Sequence, residues 1–127
     1  MSRRAELTEG YRRTTYKAGF EVRIGDPSPL PEPWAFITAY NPRSHKLTST
    51  ENAERAKALE AAAGAWTFRR ATGVPDDSEI KPEHGVVIEG IDRLDAVALA
   101  RRFDQNAIVY AEPGGNAELV WCFPEVE

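Results

Sequence analysis

Trp34-Ala35-Phe36-Ile37-Thr38-Ala39-Tyr40, followed by Asn41-Pro42, decides the architecture. The run is nearly continuous in apolar residues, includes β-branched Ile37 and Thr38, and is too short for an average helix. It therefore predicts a central strand covered on both faces. Asn41-Pro42 ends it, since proline cannot donate to a sheet ladder and an asparagine side chain can close a turn on its own backbone.

Immediately downstream, Thr48-Ser49-Thr50-Glu51 has the pattern of a capping box, a hydroxyl accepting from a first-turn amide while Glu51 reaches back. It predicts a helix from about Ser49 to Ala63, with Ala53, Ala56, Leu59 and Ala63 on the inner stripe and Gly64 as its stop. Ala65 to Arg70 alternates and reads as a strand burying Trp66 and Phe68. Gly73 to His84 is rich in turn formers and acid and predicts a surface loop. Its adjacent Asp76 and Asp77 lack further ligands at a useful spacing, so no metal site is read there. Val86-Val87-Ile88 is a short buried strand. Asp92 caps a second helix with Leu99, Ala100 and Phe103 inward. Ala107 to Ala111 and Ala117 to Trp121 form two strands joined by the turn Glu112-Pro113-Gly114-Gly115-Asn116.

Upstream, Thr15 to Ile24 predicts one half-buried strand with Phe20, Val22 and Ile24 on one face. Residues 25–33 hold four prolines and predict a stiff surface connection. Residues 1–14 form an N-terminal extension with a short helix around Ala5 to Arg13. The order from Trp34 onward is strand, helix, strand, strand, helix, strand. This predicts an α+β fold, a ferredoxin-like split β-α-β sandwich with two helices on one face of a mainly antiparallel sheet and an extra strand at each end. One domain over 1–127 is expected, since this length can bury a core without disulfides or metal.

Net charge is −4, which argues against nucleic-acid backbone binding. The charge is uneven: residues 1–50 carry eight Lys and Arg against five Asp and Glu, and residues 51–127 carry eight against fifteen. Cys122, the only cysteine, lies between Trp121 and Phe123 and reads as a small buried hydrophobe. The N-terminus, Met1 to Glu6, lacks an apolar stretch of signal-peptide length, and no segment approaches the length of a membrane span, so a cytoplasmic protein without membrane association is expected.

On this topology the loop Asn41–Thr50 and the junction Asp104-Gln105-Asn106 meet at one sheet edge, while His84 falls near the opposite edge. No carboxylate lies between Glu32 and Glu51, whereas Arg43, His45 and Lys46 stand ahead of a helix N-terminus. The site expected from this is a binding site for an anionic small molecule or acidic partner, formed by Asn41, Arg43, Ser44, Lys46, Asn52, Gln105 and Asn106. No catalytic residue, metal ligand or cofactor is assigned. The same amides could serve only to satisfy caps and exposed backbone. A group-transfer or hydrolytic enzyme with His45 as general base is a second reading. A third is an interaction or structural protein, paired through its open sheet face or an edge strand bearing Leu119 and Trp121. Oligomeric state is not legible.

Ile37-Thr38-Ala39-Tyr40-Asn41-Pro42-Arg43-Ser44, then Asn52, then Gln105-Asn106-Ala107-Ile108, resembles the bacterial domain of unknown function 3293 family, from Tyr16 to about Val120. The resemblance implies a small cytoplasmic bacterial protein and brings no activity. It marks Asn41, Pro42, Ser44, Asn52, Gln105 and Asn106 as family-pattern positions. Asp104 stands where the family pattern has glycine.

Overall fold

The computed structural model describes residues 2–124. Helix α1 spans Arg3–Arg12, α2 Ser49–Ala63 and α3 Arg93–Arg102. The strands are β1 Thr14–Lys17, β2 Glu21–Val22, β3 Trp34–Thr38, β4 Thr67–Pro75, β5 Glu83–Glu89, β6 Ala107–Ala111 and β7 Glu118–Trp121. Among the described residues these strands make one antiparallel sheet in the order β2-β1-β4-β5-β3-β6-β7. The fold is α+β, with more strands than the expected sandwich.

Strand β3 lies inside the sheet, between β5 and β6, and both of its faces are buried because consecutive side chains point to opposite sides. Ala35 and Ile37 meet Leu59 and Ala63 of α2 and Ala96, Leu99 and Ala100 of α3. Trp34 and Phe36 meet a second core with Tyr16, Val22, Val87 and Val109. Each fully buried large side chain here contributes about 1.5 to 3 kcal/mol.

The second core is enclosed because the sheet curls until its two ends meet. Gly25 N–H donates to the Ala117 carbonyl at 2.8 Å, and Ala117 N–H donates to that of Asp26 at 2.8 Å. The Pro-rich connection is therefore structural as well as stiff. Ser28 Oγ accepts from the Trp34 indole N–H at 2.8 Å, and Leu30 packs into the second core.

Several expected boundaries change. The single strand over Thr15–Ile24 is two strands, β1 and β2, folded back on each other at Gly19, whose φ of 81° suits a residue without Cβ. Strands β4 and β5 run well past their apolar centres, so the expected loop from Gly73 to His84 shrinks to 76–82. Pro75 is tolerated at the strand's last position, where a missing N–H costs little. On α2 the buried positions are Asn52, Leu59 and Ala63, and Ala53 is exposed. The capping box is present, with Thr48 accepting from Glu51 N–H and Glu51 from Thr48 N–H. Asp76 takes both arms of the Arg23 guanidinium at 2.8 and 2.9 Å, which lowers its carboxyl pKa and ties the exit of β2 to that of β4.

Gly85 is dictated by close approach. A Cβ at this position would overlap the Ile37 carbonyl oxygen and lie 3.1 Å from Thr38 Cα, where β3 bends across β5. Gly85→Ala is expected to destabilise the protein by about 1 to 3 kcal/mol, read by urea unfolding. An unchanged midpoint would show that β3 can move aside freely.

Candidate functional site

The chain leaves β3 through a turn in which Asn41, Arg43 and Ser44 adopt left-handed φ of 47°, 51° and 64°. Each costs energy for a residue with a Cβ, least for asparagine. A reciprocal amide pair holds the first of them. Asn41 N–H donates to Asn52 Oδ1 at 2.9 Å, and Asn52 Nδ2 donates to Asn41 Oδ1 at 3.0 Å. Asn41 Oδ1 also accepts from Leu47 N–H at 3.0 Å. Asn52 occupies a buried position on α2, where a lone amide would be costly, and this pairing satisfies it.

The loop 41–50 does meet 104–106. Arg43 N–H donates to the Asp104 carbonyl at 2.6 Å, and Arg43 Nε to Asn106 Oδ1 at 2.9 Å. Asn106 Nδ2 donates to Ser44 Oγ at 3.0 Å. Gln105 Nε2 donates to the Tyr40 carbonyl at 3.1 Å. Arg55 of α2, absent from the expected set, donates to the carbonyls of Ala39 and Phe103 and clamps both chain segments. The Arg43 guanidinium also stacks 4.1 Å from the Phe123 ring centroid. Most of the expected site residues therefore hydrogen-bond to protein groups, and Arg43 and Asn52 act as braces. Asp104 adopts φ 54°, a left-handed conformation that glycine would take without strain.

Beside this turn the end of the curl stays open as a cleft of about 360 Å³. Its floor is the sheet face carrying Tyr16, Phe36, Thr38 and Val109, and α1 roofs it with Leu7 and Tyr11. Asn41, Ser44, Lys46, Gln105 and Asn106 reach its rim, and Ile80 and Lys81 of the 76–82 loop line it as well. Arg43 and Asn52 stand behind this rim, outside the lining. His45 is exposed, and among the described residues no side chain is hydrogen-bonded to it, so nothing orients it as a base. His84 lies on the Asn41 side of the sheet, correcting the expected opposite edge. Antiparallel β5 begins where β3 ends, and the His84 ring sits 5.9 Å from that of Tyr40.

The group that sequence reasoning missed is Glu83, which extends into the cleft beside Tyr11. Its Oε2 accepts from Asn41 Nδ2 at 3.0 Å, while burial raises its pKa above the ordinary glutamate range. Burial, with the Glu83 charge nearby, also raises that of Tyr11. Tyr16 is buried and donates its hydroxyl to the Tyr11 carbonyl at 3.3 Å. Tyr11 packs edge-on against Trp121, and Arg4 of α1 stacks on the same indole, so Trp121 is covered by this chain's own helix. Cys122 is buried, and its thiol pKa is pushed up to about 12, as befits an inert core residue. Among the described residues no group of three or more His, Cys, Asp or Glu could hold a metal ion, and no helix is long and apolar enough to cross a membrane.

The left-handed turn and the buried carboxyl each make a prediction. Asp104→Gly removes left-handed strain but adds chain entropy to the unfolded state, and a net gain of about 0.5 kcal/mol is expected in denaturant unfolding. Folded Glu83 keeps its proton to higher pH than unfolded Glu83. Its contribution to stability is thus greatest at low pH and is lost as pH rises from the ordinary glutamate range through the raised value. Glu83→Gln should unfold at a higher temperature than the parent protein at about pH 7, and the gap should close near about pH 4. A gap independent of pH would assign it to packing.

No curated protein and no solved structure matches the chain. One family does, over residues 37–108, a narrower span than Tyr16 to Val120 but more than half of the chain. That stretch contains the exit turn, Asn52, Glu83 and Gln105-Asn106, and leaves out α1, β1, β2 and β7. The chain belongs to the family described as protein of unknown function DUF3293.

Proposed function

We propose that this protein is a small-molecule-binding module whose ligand enters the cleft with an anionic group at the mouth, against Lys46 and Lys81. The observation that carries the reading is the cleft itself, about 360 Å³ with mixed apolar and polar walls, within the usual range of ligand pockets. Its position at the open end of a curled sheet is a common one for such pockets. A concave, part-apolar cleft favours a small molecule over an extended acidic segment. The reading moves the anion contact from Arg43, which is engaged with Asn106 and Phe123, to Lys46 on the lining. We further read β4-β5-β3-β6, with α2 and α3 on one face, as a ferredoxin-like core to which β1, β2 and β7 are added.

Thermal unfolding with carboxylates, phosphate monoesters and nucleotides tests the proposal. A ligand at a hundredfold excess over its dissociation constant stabilises the native state by about 2.7 kcal/mol. At least one anion should raise the midpoint, and Lys46→Ala should reduce the shift while leaving the unliganded midpoint unchanged. A shift equal in the parent, Lys46→Ala and Lys81→Ala would remove the anion contact from the mouth.

A further inference from the structure

Glu83 is the group in the cleft that an anionic ligand does not use. Its Oε2 is anchored by Asn41 Nδ2, and Asn41 is in turn locked by Asn52, so the carboxylate has a fixed position. No Lys, Arg or His among the described residues forms an ion pair with it. A carboxylate drawn out of water without a cation is costly, and the cost is met by protonation or by a positive charge brought from outside. The raised pKa of Glu83 reflects the same imbalance. Aromatic residues line the same cleft: Tyr11 from α1, Tyr16 and Phe36 from the floor, and Tyr40. Their faces are electron-rich and attract cations, more so where water is excluded. Lys46 and Lys81 are exposed at the mouth, as is Glu6 on α1.

We propose that Glu83 receives a positively charged nitrogen of the ligand. The ligand class is then amphoteric, with an ammonium or guanidinium group inside the cleft and an anionic group at its mouth, as in an amino acid or a close derivative. This rests on the cleft being the ligand site and assigns the end of the ligand that the anion reading leaves open. Asn41 and Asn52 are positioning residues that hold Glu83 for this contact. The apolar floor takes the body between the two charges.

The test is isothermal titration of the full chain with two sets of probes, each with a constant body and varied charge. One set is phenylalanine, phenethylamine and 3-phenylpropionate. The other is leucine, isopentylamine and 4-methylpentanoate. The zwitterion should bind best in at least one set. Glu83→Gln keeps the oxygen that accepts from Asn41 and loses the charge, so it should weaken the amine at least about tenfold without weakening the carboxylate-only probe. Glu83→Asp, which retains the charge, should recover part of the amine binding. Thermal unfolding of each variant confirms that it folds. If carboxylate-only probes bind and amines either fail to bind or bind the parent and Glu83→Gln equally, the cation assignment is wrong and the anion site stands. If none of the six binds, the cleft-binding reading falls and this inference with it.

Discussion

Asn41 leaves the central strand in a left-handed conformation, and two hydrogen bonds exchanged with Asn52 hold it there. Nearly everything at this end of the molecule depends on that pair. It joins α2, which belongs to the helix-covered face, to the turn at the end of β3. It frees the remaining Asn41 amide donor for Glu83, on the opposite face. A single residue thus couples helix packing to the placement of a carboxylate in the cleft. The following left-handed residues, Arg43 and Ser44, are stabilised by the same logic through Asn106 and the Asp104 carbonyl. Strain of this kind persists where surrounding contacts over-determine it, and here the contacts are amides satisfied on several sides.

The cleft is a consequence of unequal closure of the curled sheet. At one end, backbone bonds between Gly25-Asp26 and Ala117 draw the edges together, and Ser28 fixes the indole of Trp34 beneath them. At the other end, the chains diverge after Thr38 and Pro75, and α1 spans the gap. That helix buries none of its residues fully and is held by Arg4 stacked on Trp121, by Tyr11 edge-on against the same ring and by the Arg3 donation to the Arg43 carbonyl. Few buried contacts mean a low cost of local opening for this roof.

What could be read from the sequence follows from which signals are local. The central strand, the Thr48–Glu51 cap and the Asp92 cap each depend on residues within a few positions, and each appears where expected. The meeting of 41–50 with 104–106 followed from strand order alone. Glu83 was hidden because its strand is extended by pairing with distant β4, while its own neighbours, Pro82 and Gly85, carry the composition of a turn. Tyr11 was hidden because α1 is a polar helix with no apolar stripe. The stripe on α2 was misplaced at Ala53 because apolar periodicity cannot register a buried asparagine, although a polar residue on the inner face of a helix is itself a sign of a specific partner.

Capping and ligand binding draw on the same side chains, which is why a cluster of amides near a helix start could be read either way. The geometry separates them by counting what each donor and acceptor already does. Asn52 and Asn106 use both the oxygen and the nitrogen of their amides on protein partners, and Asn41 uses its oxygen twice and its nitrogen on Glu83. Glu83 has one oxygen engaged by Asn41, and among the described residues its second oxygen has no hydrogen-bond partner. The amides of Asn41, Asn52 and Asn106 hold the turn, and Asn41 also anchors Glu83. They lie with it in the stretch 37–108, whereas the roof and the Tyr16 strand lie outside. The anchor of Glu83 and the room beside it are therefore set by separate parts of the chain, and a substitution in α1 can alter the room without disturbing the anchor.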